Sequence, residues 1–346
     1  MFKSVEIRRA LVFGLVVVAL ALSMKAFAKK VPNVRLGVLK YGTVNWEVDV
    51  IKHHNLDQKY GFNLDVLSLG SKNASAVALQ SNAVDIILTD WLWVNRQRAS
   101  EKDFTLFPTS IATGGLYVTN DSPAKDVRDL ANKRVGIAGG EVDKNWLLLQ
   151  AYSQVQYGFD IKNLAQASFM SPVLLNVLML RGELDGGINF WHYGARLKAE
   201  GYKLLVTVPE MLQALHIEND VPLLGWAFKK SWAERHAKSV KGFLQASLEA
   251  KQILYSSDEE WMRIRALTKA ENDTVFASLK NEYRGGLLHQ FGPQELMATK
   301  QLFNVLAKHG GHSLVGKATH LDTQTFYTLD QSLMTWIPAV KDENAP

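Results

Sequence analysis

From residue 33 onward the chain alternates short apolar runs with longer amphipathic stretches. Residues 34–39 read as a strand and 45–54 as a helix. Residues 63–69 are a second strand, 74–80 a second helix and 85–88 a third strand. Strands separated by helices of this size predict βαβ units and a largely parallel sheet. The pattern then restarts. Residues 134–137 are a strand closed by the Gly139-Gly140 turn, and a helix follows over 143–155. A further helix spans 174–180, with short strands at 184–189 and 204–208. Beyond Trp226 the texture becomes helical: Val240, Phe243, Leu244 and Leu248 fall at helical spacing, and Ser257-x-x-Glu260 is a helix-start signal.

The two halves echo each other. Residues 79–85 (LQSNAVD) correspond to 179–185 (MLRGELD), and each is followed by a short strand and an aromatic segment, DWLW at 90–93 and FWHY at 190–193. The repeat predicts two similar α/β lobes, one of residues 29–113 with 226–346 and one of residues 114–225. The helical tail is expected to pack on the first lobe. The chain then crosses between lobes near 113–117 and 223–228, and two crossing strands make a hinge.

Residues 1–28 read as a cleaved secretion signal: Lys3, Arg8 and Arg9, an apolar run over 10–22, then Ala26-Phe27-Ala28. The run is shorter than the roughly 20 apolar residues that span a bilayer, and Lys25 interrupts it. With no cysteine in the chain, a lipid anchor on that residue is excluded. A mature chain of roughly 318 residues buries enough core without disulfides. The expected location is therefore the periplasm, as a free monomer. Lys3, Arg8, Arg9 and Lys25 against Glu6 leave with the signal, which lowers the formal net charge from +5 to +2. No run of like charge calls for nucleic acid or an anionic membrane surface.

The segments LGV at 36–38, YGFNLDV at 60–66, ALQSNAVD at 78–85 and DLANKRVGI at 129–137, in that order, resemble the SsuA/THI5-like (NMT1-like) substrate-binding proteins over about residues 33–255. The resemblance implies a type II periplasmic-binding-protein fold. It also implies a small-molecule ligand, and as partner the membrane permease of an ABC importer with its ATPase. The sulfonate, nitrate and thiamine-precursor importers of that family suggest the ligand class, while the loops of this chain are unusually rich in Trp and Asp. A sensor that presents ligand to a receptor, a binder of a metal or metal complex, and a secreted enzyme on the same fold are the alternatives.

In open α/β sheets ligands lie beyond the carboxyl ends of the strands. That rule selects the segments 41–46, 70–73, 89–93, 139–146 and 189–193. They carry Tyr41, Trp46, Trp91, Trp93, Trp146, Trp191 and Tyr193, which predicts an aromatic-walled cleft for a planar or heterocyclic organic molecule. Buried core rings are the competing reading of the same residues. Lys72, Asn73, Gly140 and Asp143 lie at predicted helix starts, where backbone N–H groups face outward. Asp90, Asn189 and His192 complete the candidate set. No G-x-S-x-G, P-loop or G-x-G-x-x-G motif is present, so neither catalysis nor a cofactor is expected. Glu47, Asp90, Glu141 and Asp143 are a conceivable cation set, and His309-x-x-His312, placed in a Gly-rich loop, a weaker one.

Overall fold

The computed structural model describes residues 31–327; the expected signal segment lies outside them. Two five-stranded mixed sheets organise the chain. The first contains β1 (Asn33–Leu39), β2 (Asn63–Leu69), β3 (Ile86–Asp90), β4 (Phe104–Ser110) and β10 (Leu224–Lys229), in the order β2-β1-β3-β10-β4. The second contains β5 (Gly115–Thr119), β6 (Arg134–Ala138), β7 (Gln166–Met170), β8 (Gly186–Asn189) and β9 (Tyr202–Val206), in the order β7-β6-β8-β5-β9. Each sheet has a parallel trio, and its fourth strand runs antiparallel to both neighbours: β10 in the first, β5 in the second. Central β1 and β6 are buried along most of their length, as strands covered on both faces must be, whereas edge strands β2 and β7 are largely open.

The internal repeat has a physical cause. Asp85 accepts from the Arg35 backbone N–H at 2.9 Å and from its guanidinium at 2.6 and 3.1 Å. Asp185 accepts from the Arg134 backbone N–H at 2.9 Å and from its guanidinium at 3.1 and 3.4 Å. In both halves the turn before the last strand of the parallel trio is thereby tied to the trio's first strand.

The helices between the strands are α1 (Val44–His53), α2 (Leu56–Lys59), α3 (Lys72–Gln80), α4 (Trp91–Arg98), α5 (Lys144–Tyr157), α6 (Pro172–Leu180), α7 (Trp191–Ala199) and α8 (Val208–Ala214). After β10 come α9 (Lys230–Arg235), α10 (Ala237–Ser256), α11 (Asp258–Thr268), α12 (Asp273–Gly285) and α13 (Pro293–Val315). Ser257 caps α11 by accepting from the Glu260 N–H, as its spacing predicts. Helices α10 and α11 pack on α1 of the first unit. The tail also reaches the second unit: α12 lies against α7, and α13 bridges α5 of the second unit and α4 of the first.

The core follows this arrangement. One apolar cluster runs from Ile87 and Trp91 through Phe303 and Leu306 of α13 to Trp146 and Ile137, so α13 joins the two units. A second lies under α1, α10 and α11, and Trp191 and Ala195 of α7 enter it from the opposite unit.

Two expectations change. The segments 89–93 and 189–193 are not loops: Asp90 ends β3 and caps α4 directly, and Phe190 alone separates β8 from α7. The His309–His312 segment lies inside α13, kinked at Gly311 (φ 54°). Among the described residues no three acidic or imidazole side chains gather as a metal site, and no helix is long and apolar enough to cross a membrane.

Candidate functional site

A cavity of about 470 Å³ opens between the two sheets. The chain enters the second sheet beside it through Thr113 and Gly114. A Cβ on Gly114 would lie 1.5 Å from the Asn189 carbonyl oxygen, so only glycine permits this crossing.

Five helices begin at the cavity wall: α1, α3, α5, α6 and α7. Ser71 caps α3, Asp143 caps α5 and Ser171 caps α6, each through its side chain. At Thr43 before α1 and Phe190 before α7 no side chain caps the helix. Converging N-termini bring outward N–H groups and partial positive charge to one place, and an anion is stabilised there.

Side-chain charge adds to this field. Lys40, Lys72 and Lys144 line the cavity together with Asp143. Lys144 Nζ lies 3.3 Å from Asp90 Oδ2, and the other Asp90 oxygen accepts from the Trp93 N–H at 2.9 Å. Burial pushes the Asp90 carboxyl up, but Lys144, the Trp93 N–H and Lys72 outweigh it, so its pKa falls below the ordinary value. Asp143 is shifted the other way: burial dominates, and its pKa is raised against the pull of Lys144, the Trp146 and Asn145 N–H groups and Lys72. Gly139 (φ 95°) keeps a path clear beside it, since a Cβ there would meet Asp143 Oδ2 at 2.8 Å. The His192 imidazole is pushed down to about 4, by burial first and by the Arg196 charge second. Its Nδ1 is shielded from water and has no hydrogen-bond partner.

Of the residues expected at the cleft, Tyr41, Lys72, Asp143, Trp191, His192 and Tyr193 line this cavity. Trp91 and Trp146 do not. Both are fully buried in the core cluster that joins the units. Trp46 is packed edge-on against Trp261 at 5.5 Å and Trp191 at 6.0 Å, and Trp93 lies on Phe104 at 5.3 Å. Asp90 stands behind Lys144, and Asn73 is exposed on α3. Gly140 supplies a left-handed turn (φ 92°) and lies outside the lining. Asn189 is buried and donates to the Pro172 carbonyl at 2.9 Å and to Asn176 at 2.7 Å, which fastens β8 to α6. Glu47, offered as a cation ligand, is committed to Lys251 and to the Tyr283 hydroxyl at 3.0 Å. Lys40, Ser71 and Lys144 join the lining; their places just after β1, β2 and β6 were the available signal.

Two α/β units of matching strand order, joined by two crossings and closed over a cavity at their strand ends, define the two-lobed periplasmic-binding-protein fold. The chain belongs to the NMT1/THI5 like family, whose model matches residues 57–260. Among solved structures it is similar to the periplasmic aliphatic sulphonate binding protein SsuA of Escherichia coli, with a TM-score of 0.70 and 18% identity over 86% of this chain and 93% of that one. A sulfonate-binding protein SsuA from Methylobacillus flagellatus KT, described as belonging to a putative sulfonate ABC transporter, gives a TM-score of 0.63 and 15% identity over 88% and 93% of the two chains. The desulfurization enzyme DSZB gives 0.51 and 13% over 80% and 92%. No curated protein matches the sequence.

Proposed function

We propose that this protein is the solute-binding component of an ABC importer, exported by its N-terminal signal and working as a monomer in the periplasm. It captures a small organic anion of the sulfonate kind between its lobes and delivers it to a permease driven by an ATPase. One observation carries this reading: five helix N-termini and three lysines converge on a cavity between the two sheets that also holds the Phe190, Trp191 and Tyr193 rings. The aromatic groups favour an organic ligand over nitrate, and the lysines favour an acidic head. The sulfonate-binding neighbours support the same class. Binding without turnover is the activity expected, although DSZB is an enzyme on a similar fold.

Calorimetric titration with short alkanesulfonates, a thiamine precursor and nitrate tests this, with product analysis alongside. Sulfonate is expected to bind one-to-one and to be recovered unchanged. Lys72→Ala removes a charge-assisted contact worth about 1.5–3 kcal/mol, so affinity should fall roughly ten- to a hundredfold. Conversion of the sulfonate, or an affinity indifferent to Lys72, would contradict the proposal.

A further inference from the structure

Helix α12 holds a helix of each unit, and it does so through different faces. Ser278 Oγ donates to the Ala195 carbonyl of α7 at 2.7 Å, and Glu282 pairs with Lys198 of α7 at 2.6 Å. Those two residues are four apart and share a face, whereas Tyr283 is turned from them by about 100–140°. Its hydroxyl donates to Glu47 Oε1 of α1 at 3.0 Å. The other Glu47 oxygen takes Lys251 of α10, and all three side chains are buried. A buried carboxylate supplied with a cation and a donor is held in one place, because leaving either partner strands a charge. Trp46, one residue earlier, donates from Nε1 to the Leu267 carbonyl at 3.2 Å. Two consecutive side chains thus anchor the first turn of α1 to the helical tail.

The helices joined in this way are a particular pair. Of the five that start at the cavity, α1 and α7 are the two without a side-chain cap. Their first turns also meet directly. Trp46 and Trp191 lie edge-on at 6.0 Å, and the Tyr283 ring stands 5.9 Å from the first and 6.4 Å from the second. Neither Glu47 nor Tyr283 lines the cavity itself.

We propose that Glu47 and Tyr283 are positioning residues for the solute: through α12 they set the start of α1 against the start of α7, so that closing the lobes brings the two uncapped N-termini into register. This rests on the solute-binding reading above and adds to it the residues that couple closure to capture. Apolar contact between helices tolerates sliding, and the directional bond from Tyr283 to Glu47 removes that freedom. A solute held by both N-termini then stabilises the Ser278 and Glu282 contacts, and those contacts stabilise the bound solute by the same factor.

Titration calorimetry with ethanesulfonate tests this on the full-length protein, Tyr283→Phe, Ser278→Ala and the double variant, with hydrogen exchange of the same four proteins free of ligand. Tyr283→Phe keeps the ring and deletes only the hydroxyl. Each single variant is expected to bind about fivefold or more weakly, the size of an ordinary coupling between sites. The double variant should bind no worse than the weaker single one, because both substitutions cut the same link. Their effects on urea stability should instead add, since the two side chains share no partner and are about 7.5 Å apart along the helix. Tyr283→Phe should also speed exchange in α7, which its hydroxyl does not touch. Affinity losses that add, or exchange in α7 that Tyr283→Phe leaves unchanged, overturn the inference and leave the importer reading intact. If the unsubstituted protein does not bind ethanesulfonate, the sulfonate reading falls and the exchange in α7 alone decides the inference.

Discussion

His192 stands where two physical demands meet, since it is both a cleft residue and a buried base. Its imidazole titrates near 4 in the fold, against about 6.5 when unfolded. At pH 7 the ring is neutral in both states. As pH falls below 6.5 the unfolded chain takes up the proton first, so stability present above that pH is lost progressively towards 4. The loss is on the order of 2–3 kcal/mol. Urea melts at pH 7.5 and 4.5 measure it, and His192→Asn should be the less pH-sensitive protein by about that amount. Equal pH dependence in both proteins would mean that the imidazole is not held neutral by its surroundings. Its neighbour Trp191 was expected as a binding ring, and it reaches the cavity while also filling a core.

At the scale of elements, the turns that carry Asp85 and Asp185 are the same device with different burial. Asp85 is 8% exposed, while the Asp185 side chain is 36% exposed. Asp85→Ala removes a buried acceptor from the Arg35 backbone N–H and guanidinium, so it should cost about 1–3 kcal/mol, and Asp185→Ala less than about 1 kcal/mol. Chemical denaturation of the two variants separates these values, and an equal cost would remove burial as the explanation. This repeat was legible because a turn aspartate tied to the neighbouring strand leaves the same short pattern twice. The parallel strands were legible too, since strands covered on both faces read as apolar runs. The aromatic segments misled for a geometric reason. Trp91 and Trp93 share a face if the backbone is extended, but β3 passes into α4 at Asp90 without a loop. Two helical steps then turn their side chains about 200° apart, Trp91 into the interior of the core that joins the units and Trp93, partly buried, onto Phe104 at its margin. Trp146 went the same way, because the third residue of α5 faces the joint with α13. Lysines after the strands carried little periodic signal, yet they reached the cavity because strand ends do.

Across the whole molecule, the two units are clasped on both sides of the cleft. On one side α13 is packed into a continuous core. On the other, Ser278 donates to the Ala195 carbonyl at 2.7 Å, Lys198 pairs with Glu282 at 2.6 Å and Arg196 with Glu271 at 3.0 Å. Trp191 meets Trp46 edge-on at 6.0 Å in the same contact. The first clasp is a buried apolar seam and the second a mixed, partly exposed one, so lobe opening should separate the second. Trp191→Ala, which removes its largest apolar group, is expected to raise the radius of gyration in X-ray scattering and to weaken ligand binding. An unchanged radius with unchanged affinity would place the moving joint elsewhere.

The position of β10 has a consequence for how the molecule comes into being. It lies between β3 and β4, and among the described residues the other edge of β4 meets only the isolated bridges Leu106–Phe326 and Ser110–Leu287. Residues 224–229 are synthesised only after every strand of the second sheet. On the ribosome the first half is therefore an unfinished object, with the β3 edge open and β4 unmoored until its missing neighbour emerges. The order of the strands alone means that the first sheet cannot be completed until residues 224–229 have been made. Under the export proposed above, a nascent chain left incomplete in this way would stay threadable for a narrow translocation channel.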